Sequence, residues 1–107
     1  MEKIEILISN QASNYLDDLI EILYKKDYFG FLESAEEYIS SIYEFIYSSI
    51  NTFPSKETPS QIRFLGSKYL FFKTKSRTTW YIFFENKKLT YVVTHICNNN
   101  CEEVKWI

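Results

Sequence analysis

Glycine is scarce in this chain of 107 residues. Gly30 and Gly66 are the only two, so no glycine-rich loop exists to cradle a phosphate. Proline is equally rare, and Pro54 and Pro59 fall in one short stretch that reads as a loop, Ser55 to Ser60. The two cysteines and the single histidine give one His95-x-Cys97-x-x-x-Cys101 cluster. That is one ligand short of a structural zinc set, so reduced packing cysteines are the expectation and no metal or cofactor is assigned. Long apolar runs are missing too. The opening run, Ile4 to Ile8, is interrupted by Glu5 and too short for a signal-peptide core, and no stretch approaches a membrane span. A cytoplasmic protein with no membrane partner is therefore expected. Nor is there an excess of positive charge. Twelve Lys and Arg against 14 Asp and Glu leave a net charge of −2, which excludes a general nucleic-acid binder. Any contact with RNA or DNA has to come from a focused patch.

Apolar material is plentiful. A hydrophobic fraction of 46%, with 19% aromatic residues, excludes disorder and suits one packed domain over residues 1–107. Ile4, Ile6 and Ile8 alternate with Glu5 and Leu7 as a short strand would. Ser9 or Asn10 can then cap a helix whose apolar positions are Ala12, Tyr15, Leu16, Leu19, Ile20 and Leu23, ending near Lys26. Asp27 to Gly30 reads as a turn. A second helix carries Leu32, Ala35, Ile39, Ile42, Ile46, Ile50 and Phe53 at helical spacing, with Pro54 as its stop.

Four strand candidates follow: Gln61 to Leu65, Lys68 to Lys75, Thr79 to Glu85 and Leu89 to Asn98. A turn at Gly66-Ser67 and links at Ser76-Arg77-Thr78 and Asn86-Lys87-Lys88 are short enough for hairpins. The pattern predicts an α+β fold: an N-terminal strand that joins the sheet, and a two-helix hairpin packed on an antiparallel meander. Trp80, Ile82 and Phe84 face one side of that sheet, and Tyr81 and Phe83 the other. Two helices cover only one face, so the second apolar face is expected to meet a protein partner.

The focused patch lies in the meander. Lys73, Lys75 and Arg77 occupy alternate positions and line up on one face of an extended chain, next to the aromatic run Trp80 to Phe84. Cations so placed suit a polyanion; they also suit a solvated strand edge guarded against aggregation. The element order, the run Phe72-Lys73-Thr74-Lys75-Ser76-Arg77 before Trp80-Tyr81-Ile82-Phe83-Phe84, and the tail Tyr91 to Asn100 together resemble the RelE/ParE superfamily of bacterial type II toxins. The resemblance covers almost the whole chain. It implies a toxin neutralised by a small antitoxin that wraps it. RelE-type members cleave messenger RNA in the ribosomal A site without a metal, through attack by the 2′-hydroxyl. ParE-type members poison DNA gyrase instead.

Metal-free cleavage needs a base, an acid and cations around the developing phosphorane. Lys73, Lys75 and Arg77 match the cationic positions of the RelE-type basic strand, a crowded lysine serving as base and Arg77 holding phosphate. Tyr81 stands where RNA-cleaving members carry an arginine. It can donate a proton or stack on a base, and equally be a packed sheet tyrosine. His95 is an acid or base candidate by its ordinary pKa, or a structural strand histidine. Asn98 and Asn99 are RNA-binding candidates at a turn where those members carry a further arginine and a tyrosine; with Asn100 they also suit a left-handed turn. These departures leave open a non-nuclease toxin acting on gyrase, or a member that only binds antitoxin.

Overall fold

The computed structural model describes residues 3–25, 32–52, 54–73, 78–99 and 101–107, with side chains except at 19–25, 32–35 and 103. The order is β1 (Glu5–Ile8), α1 (Asn10–Lys25), α2 (Leu32–Ser49), β2 (Lys56–Glu57), a first 3-10 segment (Ser60–Leu65), β3 (Lys68–Lys73), β4 (Thr79–Lys87), β5 (Thr90–Asn98) and a second 3-10 segment (Glu102–Trp106). The expected turn at Asp27 to Gly30, and Lys26, lie outside the described residues.

Ser9 is the helix cap. Its Oγ accepts from Ala12 N at 3.1 Å while its carbonyl accepts from Ser13 N at 2.9 Å. The chain therefore swings from β1 into α1 with a first-turn N–H satisfied. α2 stops short of its proline: after Ser49, Thr52 N bonds to Ser49 O at 3.1 Å, an i−3 closure that tightens the last turn. Phe53 lies outside the described residues.

The sheet has five strands in the order β1-β5-β4-β3-β2. β2 through β5 pair antiparallel, but β1 joins β5 in parallel, with Ile6 opposite Tyr91 and Ile8 opposite Val93. β2 to β5 thus form the antiparallel meander the strand pattern predicts, and the parallel addition of β1 makes the sheet mixed. β4 runs two residues farther than expected, β5 starts one residue later, and they meet in a two-residue turn, Lys88-Leu89, with Lys88 at φ 56°. Asn86 Nδ2 closes that turn by donating to the carbonyls of Lys88 (3.0 Å) and Thr90 (3.2 Å).

One core fills the space between helices and sheet. Ala12 and Leu16 from α1 and Ile39, Ile42, Ile46 and Ile50 from α2 with its turn meet Leu70, Trp80, Ile82, Phe84, Val93 and Ile96. Trp80 Nε1 donates to Tyr38 Oη at 2.8 Å, so the largest buried side chain keeps its polar atom satisfied. Val93 and Ile96 both reach this core although three apart. The register slips between Phe83 and Phe84, so that Thr94 is the extra residue of a β-bulge.

The segment Gln61 to Leu65, expected as a strand, is a 3-10 turn instead. Its buried residues, Ile62 and Leu65, are three apart, the spacing that puts both on one side of a three-residue turn. With Val104 of the second 3-10 segment and Cys101, they pack on Tyr69, Phe83 and Cys97, on the sheet face away from the helices. That face was expected to need a partner; at its centre the chain covers it itself, and Phe83 is wholly buried.

The loop read at Ser55 to Ser60 contains β2 and the buried Thr58. Thr58 N donates to Ser67 O, and its carbonyl accepts from Arg63 Nε and Nη2 at 3.3 and 3.0 Å. Its hydroxyl, fully buried, has no hydrogen-bond partner among the described residues. Thr58→Val keeps the shape and removes the unsatisfied oxygen, so it is expected to raise stability by about 1 kcal/mol. Urea unfolding checks this; a loss of stability would mean that the hydroxyl is engaged. No described helix is long and apolar enough to cross a membrane.

Candidate nucleic-acid interface

Strand register lays the helix-free face out in rows. At the end of the sheet, Lys73 of β3 stands opposite Thr79 of β4, and Asn99, just past β5, closes on Thr79. The next row is Phe71, Tyr81 and Cys97, and the one after it Tyr69, Phe83 and His95. The 3-10 segments cover Tyr69 and Phe83 of the third row and Cys97 of the second. Phe71 and Tyr81 are left partly buried, with ring centroids 6.4 Å apart, and Lys73 beside them is exposed.

From the opposite side Lys56 of β2, paired with Tyr69, extends its Nζ to 5.4 Å from the Phe71 ring centroid. Cation and ring thus alternate: Lys56, Phe71, Lys73. No described acidic side chain joins this row. Glu57 pairs with Lys68 one position away, and at the far end of β4 both carboxylate oxygens of Glu85 accept from Ser67, from its N and its Oγ.

Lys75 and Arg77 lie outside the described residues. Tyr81 belongs to an aromatic group, 6.1 Å from the Tyr69 ring. His95 packs its ring 5.9 Å from Phe83, and Gln11 Nε2, a pure donor, reaches His95 Nδ1 at 3.3 Å. From Lys73 it is two strands across and four residues along, about 16 Å between Cα atoms at ordinary strand spacing and rise. Lys73 and Tyr81 are therefore neighbours on one face, and His95 is not beside Lys73.

The asparagines build the turn. Asn98 O accepts from Cys101 N at 3.0 Å and Asn98 Oδ1 from Cys101 Sγ at 3.7 Å. Asn99 N donates to Thr79 O at 3.0 Å, and its Oδ1 accepts from Thr79 N at 3.2 Å. Both side-chain oxygens are thus committed within the protein, while Asn100 lies outside the described residues. Among the described residues no three His, Cys, Asp or Glu side chains come together as a metal-holding group.

Burial raises the pKa of Tyr69 above its ordinary 10.0, and ionised Tyr81 nearby raises it further. The folded protein therefore keeps this proton where the unfolded chain loses it. Stability from this group is intact below pH 10 and falls as pH rises through the folded value. Tyr69→Phe is expected to flatten that alkaline loss, measured as the urea midpoint against pH; an unchanged slope would assign the loss to another group.

Two members of this surface escape the sequence reading. Phe71 was legible in principle, since it alternates with Lys73 on a strand. Lys56 was not, because only its pairing with Tyr69 brings it over the ring. The chain matches no protein-family model, no curated protein and no solved structure.

Proposed function

We propose that this chain is a growth-inhibiting toxin of the RelE/ParE kind, acting in the cytoplasm, held in check by a cognate antitoxin, and contacting messenger RNA on the ribosome. The observation that carries the reading is the exposed Lys73 beside the partly buried rings of Phe71 and Tyr81 on a helix-free sheet face. It puts a phosphate-binding cation next to a surface on which a base can stack. The order of strand, two helices and antiparallel strands also supports it, as does the continuation of the cationic alternation to Lys75 and Arg77 in the sequence. In the nuclease form of this reading the three cations neutralise the phosphorane, and Tyr81, on the same sheet face as Lys73, is the proton-transfer group.

The distance between Lys73 and His95 favours a second reading, a toxin that acts on gyrase without cleaving RNA, or a member that only binds antitoxin. Inducing the chain without antitoxin, while mapping transcript ends on ribosomes and gyrase-linked DNA breaks, separates the two. New ends within codons are expected. Growth arrest with intact transcripts would eliminate the nuclease, and gyrase-linked breaks would select the ParE-like action.

A further inference from the structure

We propose that Phe71, Tyr81 and Lys56 form a subsite for one unpaired base of single-stranded RNA and its phosphate; this rests on the reading of the protein as an RNA-contacting toxin and extends it to residues outside the basic run. Phe71 and Tyr81 are adjacent, partly buried rings packed at the edge of the cluster that the 3-10 segments cover, and part of each ring is open to solvent. A ring edge and face so placed accept any base, because every base has a π face; a duplex, whose bases are stacked inside, cannot use them.

Lys56 stands over the Phe71 ring and is exposed, so its position is held by the ring and not by an ion pair among the described residues. An ammonium on a flexible stem can swing off the ring as a base slides on, and meet the phosphate of the same nucleotide. Lys73 lies two residues farther along the same face, on the other side of Phe71, so the ring is bracketed by positive charge on a protein that is acidic as a whole. That charge complementarity selects a nucleic-acid strand over an apolar partner. The 2′-hydroxyl has no assigned contact here, so the subsite is expected to take single-stranded DNA as well, less tightly only if other residues read the sugar.

The test uses the full chain free of antitoxin and fluorescein-labelled oligouridylate and oligoadenylate, with a single-stranded DNA and an RNA duplex of equal length, followed by anisotropy. Phe71→Leu keeps an apolar side chain of similar bulk and removes the π face. It is expected to weaken single-strand binding by about 10-fold or more. Phe71→Trp, which enlarges that face, is expected to bind at least as tightly as the natural chain. Lys56→Ala is expected to weaken binding about 5-fold and to lower the slope of log affinity against log salt by about 0.7, the share of one phosphate contact.

Circular dichroism and urea midpoints of each variant separate lost binding from lost folding. If the natural chain binds single strands and both Phe71→Leu and Lys56→Ala bind as it does, the subsite is refuted while the RNA reading stands. Equal binding of the duplex refutes stacking at Phe71. If the natural chain binds no oligonucleotide and leaves translation intact, the RNA reading fails and the subsite fails with it.

Discussion

Gly66→Ala is expected to destabilise the protein by about 3 kcal/mol, a large fraction of the roughly 5–15 kcal/mol that holds an ordinary small domain folded. The reason is space. A Cβ on Gly66 would stand 2.7 Å from Thr94 Oγ1, 2.8 Å from Phe84 N and 3.0 Å from Phe83 Cβ. The hydroxyl could rotate away, but the backbone nitrogen of Phe84 sits in the middle of β4 and cannot move without breaking the ladder to β3 or β5.

Gly66 is where the first 3-10 segment hands over to β3, and Thr94 holds that handover by donating from Oγ1 to Leu65 O. Thr94 is available for this because it is the bulged residue of β5. Glycine, bulge and threonine are thus one joint, and it presses Ile62 and Leu65 onto Phe83. The double change Gly66→Ala with Thr94→Ala is expected not to recover stability, since Phe84 N still blocks the new methyl. Urea unfolding of the three proteins decides the matter. A Gly66→Ala variant within about 0.5 kcal/mol of the natural chain, the range of an unconstrained surface change, would show that the segment does not press on the sheet as described.

Changing Lys73, Lys75 and Arg77 together to alanine is expected to abolish growth arrest and to lower affinity for single-stranded RNA about 100-fold at moderate salt, with the salt slope falling by about 2. Each cation lost from a phosphate site returns its share of condensed counterions to the strand, so three losses change the slope as well as the affinity. The change removes a quarter of the 12 positive side chains from a chain that already carries 14 acids, which leaves the whole surface more repulsive to RNA. Lys73 is exposed at the end of β3, and replacing it is expected to leave folding within about 0.5 kcal/mol. Growth arrest that persists with the triple change would end the assignment of this strand to phosphate, whatever the target of the toxin proves to be. Arrest that is lost while the salt slope stays unchanged would point to a protein target recognised by the same cations.

The sequence by itself determined the elements with strong apolar periodicity and the cap that starts α1. Ile39, Ile42 and Ile46 at helical spacing are buried in the core as the pattern assigns, and Ile4, Ile6 and Ile8 on alternate positions pack against it partly buried. Trp80, Ile82 and Phe84 likewise face the helices, as their alternation requires. Lys73, where the charged alternation begins, is exposed at the end of β3.

Only the tertiary structure decided what lies against each face. Local spacing states which side of an element is apolar; it does not state which distant segment will cover it. So the parallel pairing of β1 with β5, which are separated by two helices and three strands, left no mark on either strand. Six residues with three apolar positions, Ile62, Phe64 and Leu65, fit a strand or a 3-10 turn until the contact of Ile62 and Leu65 with Phe83 selects one. The same contact covers most of the face that pattern alone left open. What remains uncovered, between Lys56 and Lys73, is a surface made by pairing partners, not by neighbours in the chain.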